Sequence, residues 1–242
     1  MNKNNLNSLL KELKQKENKE KAKHLAGFFK TGRGQYGEGD LFLGITVPES
    51  RKLAVKYSEL AFSDISKLIK NRYHEVRLIA LLILVHQFRA CARQDLAQNL
   101  AQKKIVEFYL AHTKYINNWD LVDLSASYIV GDYLFDKNRL ILEKLAKSKN
   151  LWEKRIAVIS TFAFIYKGES KWTLRIVKIL LNDTHDLIHK ACGWMLREVG
   201  KRVSEKDLTS FLDTYNHKMP RTMLRYAIER LSEDKRKYYL NK

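Results

Sequence analysis

Proline, cysteine and acidic residues are scarce in this chain. Only Pro48 and Pro220 occur in 242 residues, and proline is the residue that breaks the helical hydrogen-bond ladder, so little here forbids helix. Cys91 and Cys192 are the only cysteines. They are too few for a disulfide framework and lack the paired spacing of a zinc site, so both read as reduced core residues. The longest apolar run, Leu78 to Val85, falls short of the roughly 18 residues that a bilayer-spanning helix needs. Glycine is thin except in one stretch, where residues 27, 32, 34, 37, 39 and 44 supply six of the ten. Met1-Asn2-Lys3-Asn4-Asn5 leads into a Lys/Glu-rich segment without an apolar signal core. The expected location is therefore a bacterial cytoplasm.

Basic charge is abundant. Lys and Arg total 45 against 27 Asp and Glu, a formal charge of +18, which attracts polyanions before any specific contact forms. Nucleic acid is the expected partner, with nucleoid association when bound to DNA, and no membrane is. A 45% hydrophobic content is enough to bury a continuous core at this length.

Beyond Pro48 apolar residues recur at helical spacing, and no alternating strand pattern appears, so the fold class is all-α. Segments beginning at Asn118, Leu151, Leu187 and Pro220 resemble one another and start 33, 36 and 33 residues apart. A fifth, from Tyr73, stands 45 residues before the first. Such spacings fit stacked helix pairs, because one pair alone cannot bury its apolar face. The expected architecture is one domain over 1–242: N-terminal helices in 1–30, a Gly-rich loop in 31–47 and helical repeats in 48–242, forming a curved solenoid. Arg77, Arg155, Lys190 and Arg221 recur near the helix starts, which predicts a basic concave face suited to a duplex.

Leu6 to Gln15 and Lys21 to Lys30 read as two amphipathic helices. The loop from Thr31 to Asp40 has no Walker spacing, which rejects nucleotide binding. It reads as a flexible connector, or as a place where backbone amides, Arg33 and Tyr36 press on a phosphate backbone.

Three constellations could carry chemistry. At 100 degrees per residue, Lys190, Trp194, Arg197 and Lys201 share one stripe of the helix from Asp186 to Arg202, opposite Ile188, Cys192, Met195 and Val199. Trp194 there is either packing covered by cationic stems or an indole offered to nucleic acid. Trp119 and Asp123 lie one turn apart on one face, with Leu121, Leu124 and Tyr128 expected on the other. Asp120 reads as a capping or ion-paired acid, a role that suits Asp123 less well. Arg155 lies on a helix apolar nearly all round, where it requires a carboxylate, Asp123 for one, or a phosphate.

Asn-Asn-Trp-Asp-Leu-Val-Asp (117 to 123), Leu-Trp-Glu-Lys-Arg (151 to 155) and His-Lys-Ala-Cys-Gly-Trp-Met-Leu-Arg-Glu (189 to 198) resemble the bacterial DNA alkylation repair glycosylases of the AlkD type. Phe42-Leu43-Gly44-Ile45 with Pro48 extends the likeness. The resemblance implies a HEAT-like fold around double-stranded DNA and hydrolysis of the N-glycosidic bond of cationic alkylpurines such as 7-methylguanine and 3-methyladenine. It also implies Asp123 as the catalytic carboxylate, Trp119 and Trp194 as aromatics on the deoxyribose, and Arg155 as a phosphate contact. Lys190, Arg197, Lys201, Arg221, Arg225, Arg77, Arg33 and Tyr36 are the expected DNA-binding residues. No cofactor and no metal are expected, and the protein should act as a monomer. In this family the target base is thought to stay out of any pocket, and the sequence shows no base-sandwiching motif. The Gly-rich insert is longer than in the best-known members, and Thr46 stands where a polar DNA contact is expected. Two other readings compete: a non-catalytic repeat protein that binds damaged or branched DNA, and a helical scaffold for acidic proteins.

Overall fold

The computed structural model describes residues 4–91 and 96–241. Among them every regular element is helical, and the β pairing found is an isolated bridge between Leu41 and Tyr73. No described helix is long and apolar enough to cross a membrane. The chain divides into two units, the first ending at Ser125 and the second starting at Ala126.

In the first unit, α1 (Leu6–Gln15) opens at Asn5, whose side chain accepts from the Ser8 amide at 3.0 Å. That bond satisfies one of the donors a helix start leaves open, and α1 then buries Leu9 and Leu13. Its bounds agree with the periodicity. α2 (Lys19–Phe28) starts and ends two residues earlier than expected, because Asn18 caps it through the Lys21 amide at 3.0 Å. α3 (Val47–Lys56) carries Pro48 in its first turn, where the missing amide costs nothing. α4 (Phe62–Ile69) and α3 pack on α5 (His74–Ala90), and α6 (Leu96–Ala111) and the short α7 (Trp119–Asp123) follow. α5 is the centre of this unit: Ile79, Ala80, Ile83 and Leu84 have no exposure at all. Its apolar run, too short for a membrane, is a core helix.

The Gly-rich segment is more than a slack connector. The Gly37 amide donates to the Lys30 carbonyl at 3.1 Å, the Gly34 amide to the Glu38 carboxylate at 2.8 Å, and Asp40 closes the segment as a buried acid. Beyond it, Gly44 has φ +82, and a Cβ there would stand 2.2 Å from the Asn18 carbonyl oxygen. Only glycine allows this left-handed backbone to lie so close to the start of α2.

The second unit begins with a π-helical turn, Ser127–Gly131, running into α8 (Asp132–Leu134). Then come α9 (Leu140–Ala146), α10 (Leu151–Ser160), α11 (Phe162–Tyr166), α12 (Lys171–Leu180), α13 (Asp186–Arg202), α14 (Glu205–Tyr215), α15 (Arg221–Ala227) and α16 (Glu233–Asn241). α10 and α13 carry its core, with Ile156, Ala157, Val158, Ile188, Cys192, Met195 and Val199 fully buried. Cys192 is thus the expected core thiol, whereas Cys91 is only half-buried at the end of α5. The five look-alike segments all fall at helix starts, where Tyr73, Asn118, Asn150, His185 and Pro220 occupy the N-cap positions.

Candidate active site

Trp119 and Asp123 are the two ends of α7. Asn118 starts the helix, its side-chain oxygen accepting from the Trp119 amide at 2.8 Å, and Asp120 accepts from the Leu121 amide at 2.9 Å. With Leu121 and Val122 fully buried, the indole and the Asp123 carboxylate come out one turn apart on the opposite side. Both line a cavity of about 710 Å³ in the first unit. Leu124, expected on the far face, lines it too. The helix ends at Asp123, so helical phase no longer sets where the next side chain points.

The rest of the wall is aromatic and comes from distant segments. Phe29 stacks on Trp119 at 5.3 Å between ring centres and on Phe42 at 5.2 Å, while Phe28 meets Trp119 edge-on at 5.9 Å. His74 completes the layer, stacked on Phe42 at 4.8 Å. None of Phe28, Phe29, Phe42 and His74 was singled out as a site residue from the sequence. Adjacent phenylalanines at the end of a polar helix, and a histidine opening an otherwise apolar one, were the available signals.

Behind this wall lies a buried charge network. The His74 Nε2 is 2.8 Å from an Asp120 carboxylate oxygen, and its Nδ1 is 3.4 Å from Asp40. Asp40 also pairs with Arg77 at 2.7 Å and accepts from the Asn117 side chain at 3.1 Å. Burial alone would strip the imidazole of its proton. The Asp120 charge, with hydrogen bonds to Asp120 and Asp40, outweighs that and pushes the His74 pKa up to about 9. Burial works against the Asp40 carboxylate as well, but His74, Arg77 and Asn117 together hold it below its usual range. A third buried acid, Glu75, accepts from the amides of Leu43, Gly44 and Ile45 at 2.9, 2.8 and 3.2 Å and so shapes the loop that forms one wall.

Arg77 corrects an expectation. It is 4% exposed, paired with Asp40 and bonded to the Asn71 carbonyl at 2.9 Å, so it is a structural cation and leaves the set of DNA contacts. Arg33 is exposed on the Gly-rich segment and Tyr36 is half-buried there. Thr46 lines the cavity and donates its hydroxyl to Glu49 at 2.8 Å, as part of the start of α3.

In the second unit, Arg155 is 5% exposed and donates from Nη1 to the Leu187 carbonyl at 2.6 Å, tying α10 to α13. On α13, Trp194 is half-buried with its ring 5.6 Å from Phe162. The cation stripe beside it is partly neutralised. Lys190 pairs with Asp186 at 2.7 Å, and Arg197 pairs with Glu229 and, at 3.5 Å, with Glu198. Lys201 is exposed, as are Arg221 and Arg225 on α15, although Arg221 donates to the Leu240 carbonyl at 3.0 Å. No group of three or more His, Cys, Asp or Glu among the described residues is arranged to hold a metal.

A carboxylate on the wall of a mostly apolar, aromatic-lined cavity can stabilise a developing cation or orient a water molecule. Similar folds are known. A predicted DNA alkylation repair enzyme from Enterococcus faecalis superposes with a TM-score of 0.66 at 15% identity, covering 90% of this chain and 98% of that one. A search of curated proteins found no match. The sequence profile of a family described as DNA alkylation repair enzyme matches residues 9–231. Nearly the whole chain, both units included, is thus accounted for by one family, and the protein belongs to the DNA alkylation repair enzymes.

Proposed function

We propose that this protein is a DNA glycosylase that hydrolyses the N-glycosidic bond of cationic alkylpurines, such as 7-methylguanine and 3-methyladenine, in duplex DNA. The observation that carries the reading is the pairing of Asp123 with Trp119 on the wall of the aromatic cavity.

Glycosidic cleavage passes through an oxocarbenium-like sugar, and sugar hydrolases ordinarily use a second carboxyl group to protonate the leaving group. An alkylated purine already carries a positive charge, so it departs with the bonding electron pair as a neutral molecule. One carboxylate then suffices. Asp123 stabilises the positive charge that grows on the sugar and orients a water molecule, whose oxygen bonds to C1′ as its proton passes to solvent. The Trp119 face adds a cation–π attraction that strengthens as that charge develops. By resemblance, Trp194 serves the deoxyribose in the same way and Arg155 a backbone phosphate. Lys190, Arg197, Lys201, Arg221, Arg225 and Arg33 are the candidate phosphate contacts, with Tyr36.

The test is release of 7-methylguanine from methylated duplex DNA by wild type and Asp123→Asn. The expected loss is at least about 100-fold, the scale of removing one electrostatic stabiliser, with duplex affinity close to wild type. Equal activity in the variant would remove Asp123 from the mechanism. A wild-type protein that binds the DNA yet leaves no alkali-labile site would be a non-catalytic binder.

A further inference from the structure

Trp119 and Asp123 sit on α7, a helix of one turn and five residues. A single turn does not hold itself together, because nucleation fixes several dihedrals for one hydrogen bond. The angle at which its indole and carboxylate meet a sugar is therefore set by what grips the turn from outside. Its ends are held locally. Asn118 caps the start, and past the end the Ser125 hydroxyl donates to the Leu121 carbonyl at 2.5 Å, with the Tyr109 hydroxyl 2.9 Å from Ser125.

His74 grips the turn between those ends. It opens α5, the central helix of the unit, and its own amide donates to the Leu41 carbonyl at 2.8 Å. From that base the imidazole reaches α7 twice. Its Nε2 meets the carboxylate of Asp120, the neighbour of Trp119 in the chain, and its ring lies 4.8 Å from Phe29, which in turn stacks on Trp119. The grip depends on charge. Asp120 at Nε2 and Asp40 at Nδ1 are both acceptors, and only the imidazolium has an N–H for each; neutral imidazole would turn a lone pair toward one of them. The other charges around it are Arg77, paired with Asp40, and Glu75, engaged by the amides of residues 43 to 45, with Glu20, Lys21 and Asp123 on the same cavity wall. At 1% exposure His74 is too enclosed to touch a substrate. Whatever it contributes passes through its neighbours.

We propose that His74 is a positioning residue: its imidazolium clamps α7 at Asp120 and, through Phe29, backs the Trp119 ring, so that indole and Asp123 carboxylate present one fixed arrangement to the sugar. The inference rests on the excision reading for the reaction it serves. Loss of the proton releases one carboxylate and loosens the turn without touching any phosphate contact. The chemical step then slows while duplex affinity stays.

The experiment measures single-turnover excision of 7-methylguanine and duplex affinity for wild type, His74→Gln and Phe29→Leu from pH 7 to pH 10. Beside them it follows the fluorescence anisotropy of Trp119, taken as the difference from Trp119→Phe, with circular dichroism to check folding. His74→Gln keeps a donor without the charge, and Phe29→Leu keeps the charge without the stacked ring. At pH 7 both are expected to lose roughly 10- to 100-fold in rate, the scale of a misplacement of about 1 Å, with affinity within about two-fold of wild type. The ratio of wild-type to His74→Gln rates, in which the substrate's own titration cancels, should fall toward one as pH passes about 9, where His74 gives up its proton. Wild-type Trp119 anisotropy should drop over the same range, a reading that needs no variant to fold. Wild-type rates in the two variants, a ratio that ignores pH, or a constant anisotropy overturns the proposal and leaves the glycosylase standing. A wild-type protein that excises nothing ends the excision reading instead; the anisotropy then decides whether His74 holds the turn, its drop supporting the clamp and its constancy refuting it.

Discussion

His74 lies almost wholly enclosed between Asp40 and Asp120, and its proton has thermodynamic consequences. A group whose pKa is raised by folding stabilises the native state fully below its unfolded value, near 6.5, and loses that contribution as pH rises through its folded value, here about 9. The shift corresponds to on the order of 3 kcal/mol. Urea denaturation should therefore show stability falling between pH 6.5 and 9, and His74→Gln, which bridges the acids without a charge, should remove that slope while lowering stability at pH 6.5. A slope unchanged in the variant would assign the proton elsewhere. Asp40 runs the opposite way: its lowered pKa stabilises above the ordinary carboxylate value and is lost on acidification. The shared face of Trp119 and Asp123 was legible in the sequence because helical phase is reliable over one turn. The partners of His74 were not, since Asp40 and Asp120 lie 34 and 46 residues away. Arg77 misled for the same reason: a cation near a helix start resembles a phosphate contact until its distant acid is seen.

Helix starts were the most readable elements. Five segments of similar sequence all begin helices: Asn118, Asn150 and His185 cap theirs through the side chain, and in all five the first apolar residues of a buried stripe follow. Periodicity gave the lengths of α1 and α13 but not that of α7, which ends too soon for Leu124 to obey it. Close approach between helices was equally hidden. At Gly193 in α13 a Cβ would stand 2.5 Å from both the Met223 carbonyl oxygen and the Tyr226 Cβ of α15. In an open helix, alanine in place of glycine gains about 1 kcal/mol. Here overpacking reverses the sign, and Gly193→Ala should cost about 1–3 kcal/mol, read as a lower midpoint in thermal unfolding. A stabilised variant would show that α15 yields easily.

Across the whole molecule, the scarcity of proline and the absence of strand periodicity were enough to settle the helical class, because both act everywhere along the chain. Net charge was legible too, but its deployment was not. Of the seven cations expected to hold DNA, Arg77 is buried and Lys190 and Arg197 already face carboxylates. Arg33, Lys201, Arg221 and Arg225 remain. If those four and Arg155 make the phosphate contacts, the logarithm of duplex affinity should fall with the logarithm of salt concentration at a slope of about −4.5. A slope near −6 would mean that Lys190 and Arg197 exchange their acids for phosphates, and no salt dependence at all would remove DNA as the partner. Glu75 has a further consequence for how the first unit assembles. The backbone of residues 43 to 45 is moulded around a carboxylate that arrives some thirty residues later. A nascent chain that has not yet placed α5 thus has no template for that wall, whose shape is set by a distant carboxylate rather than by a local habit of the loop.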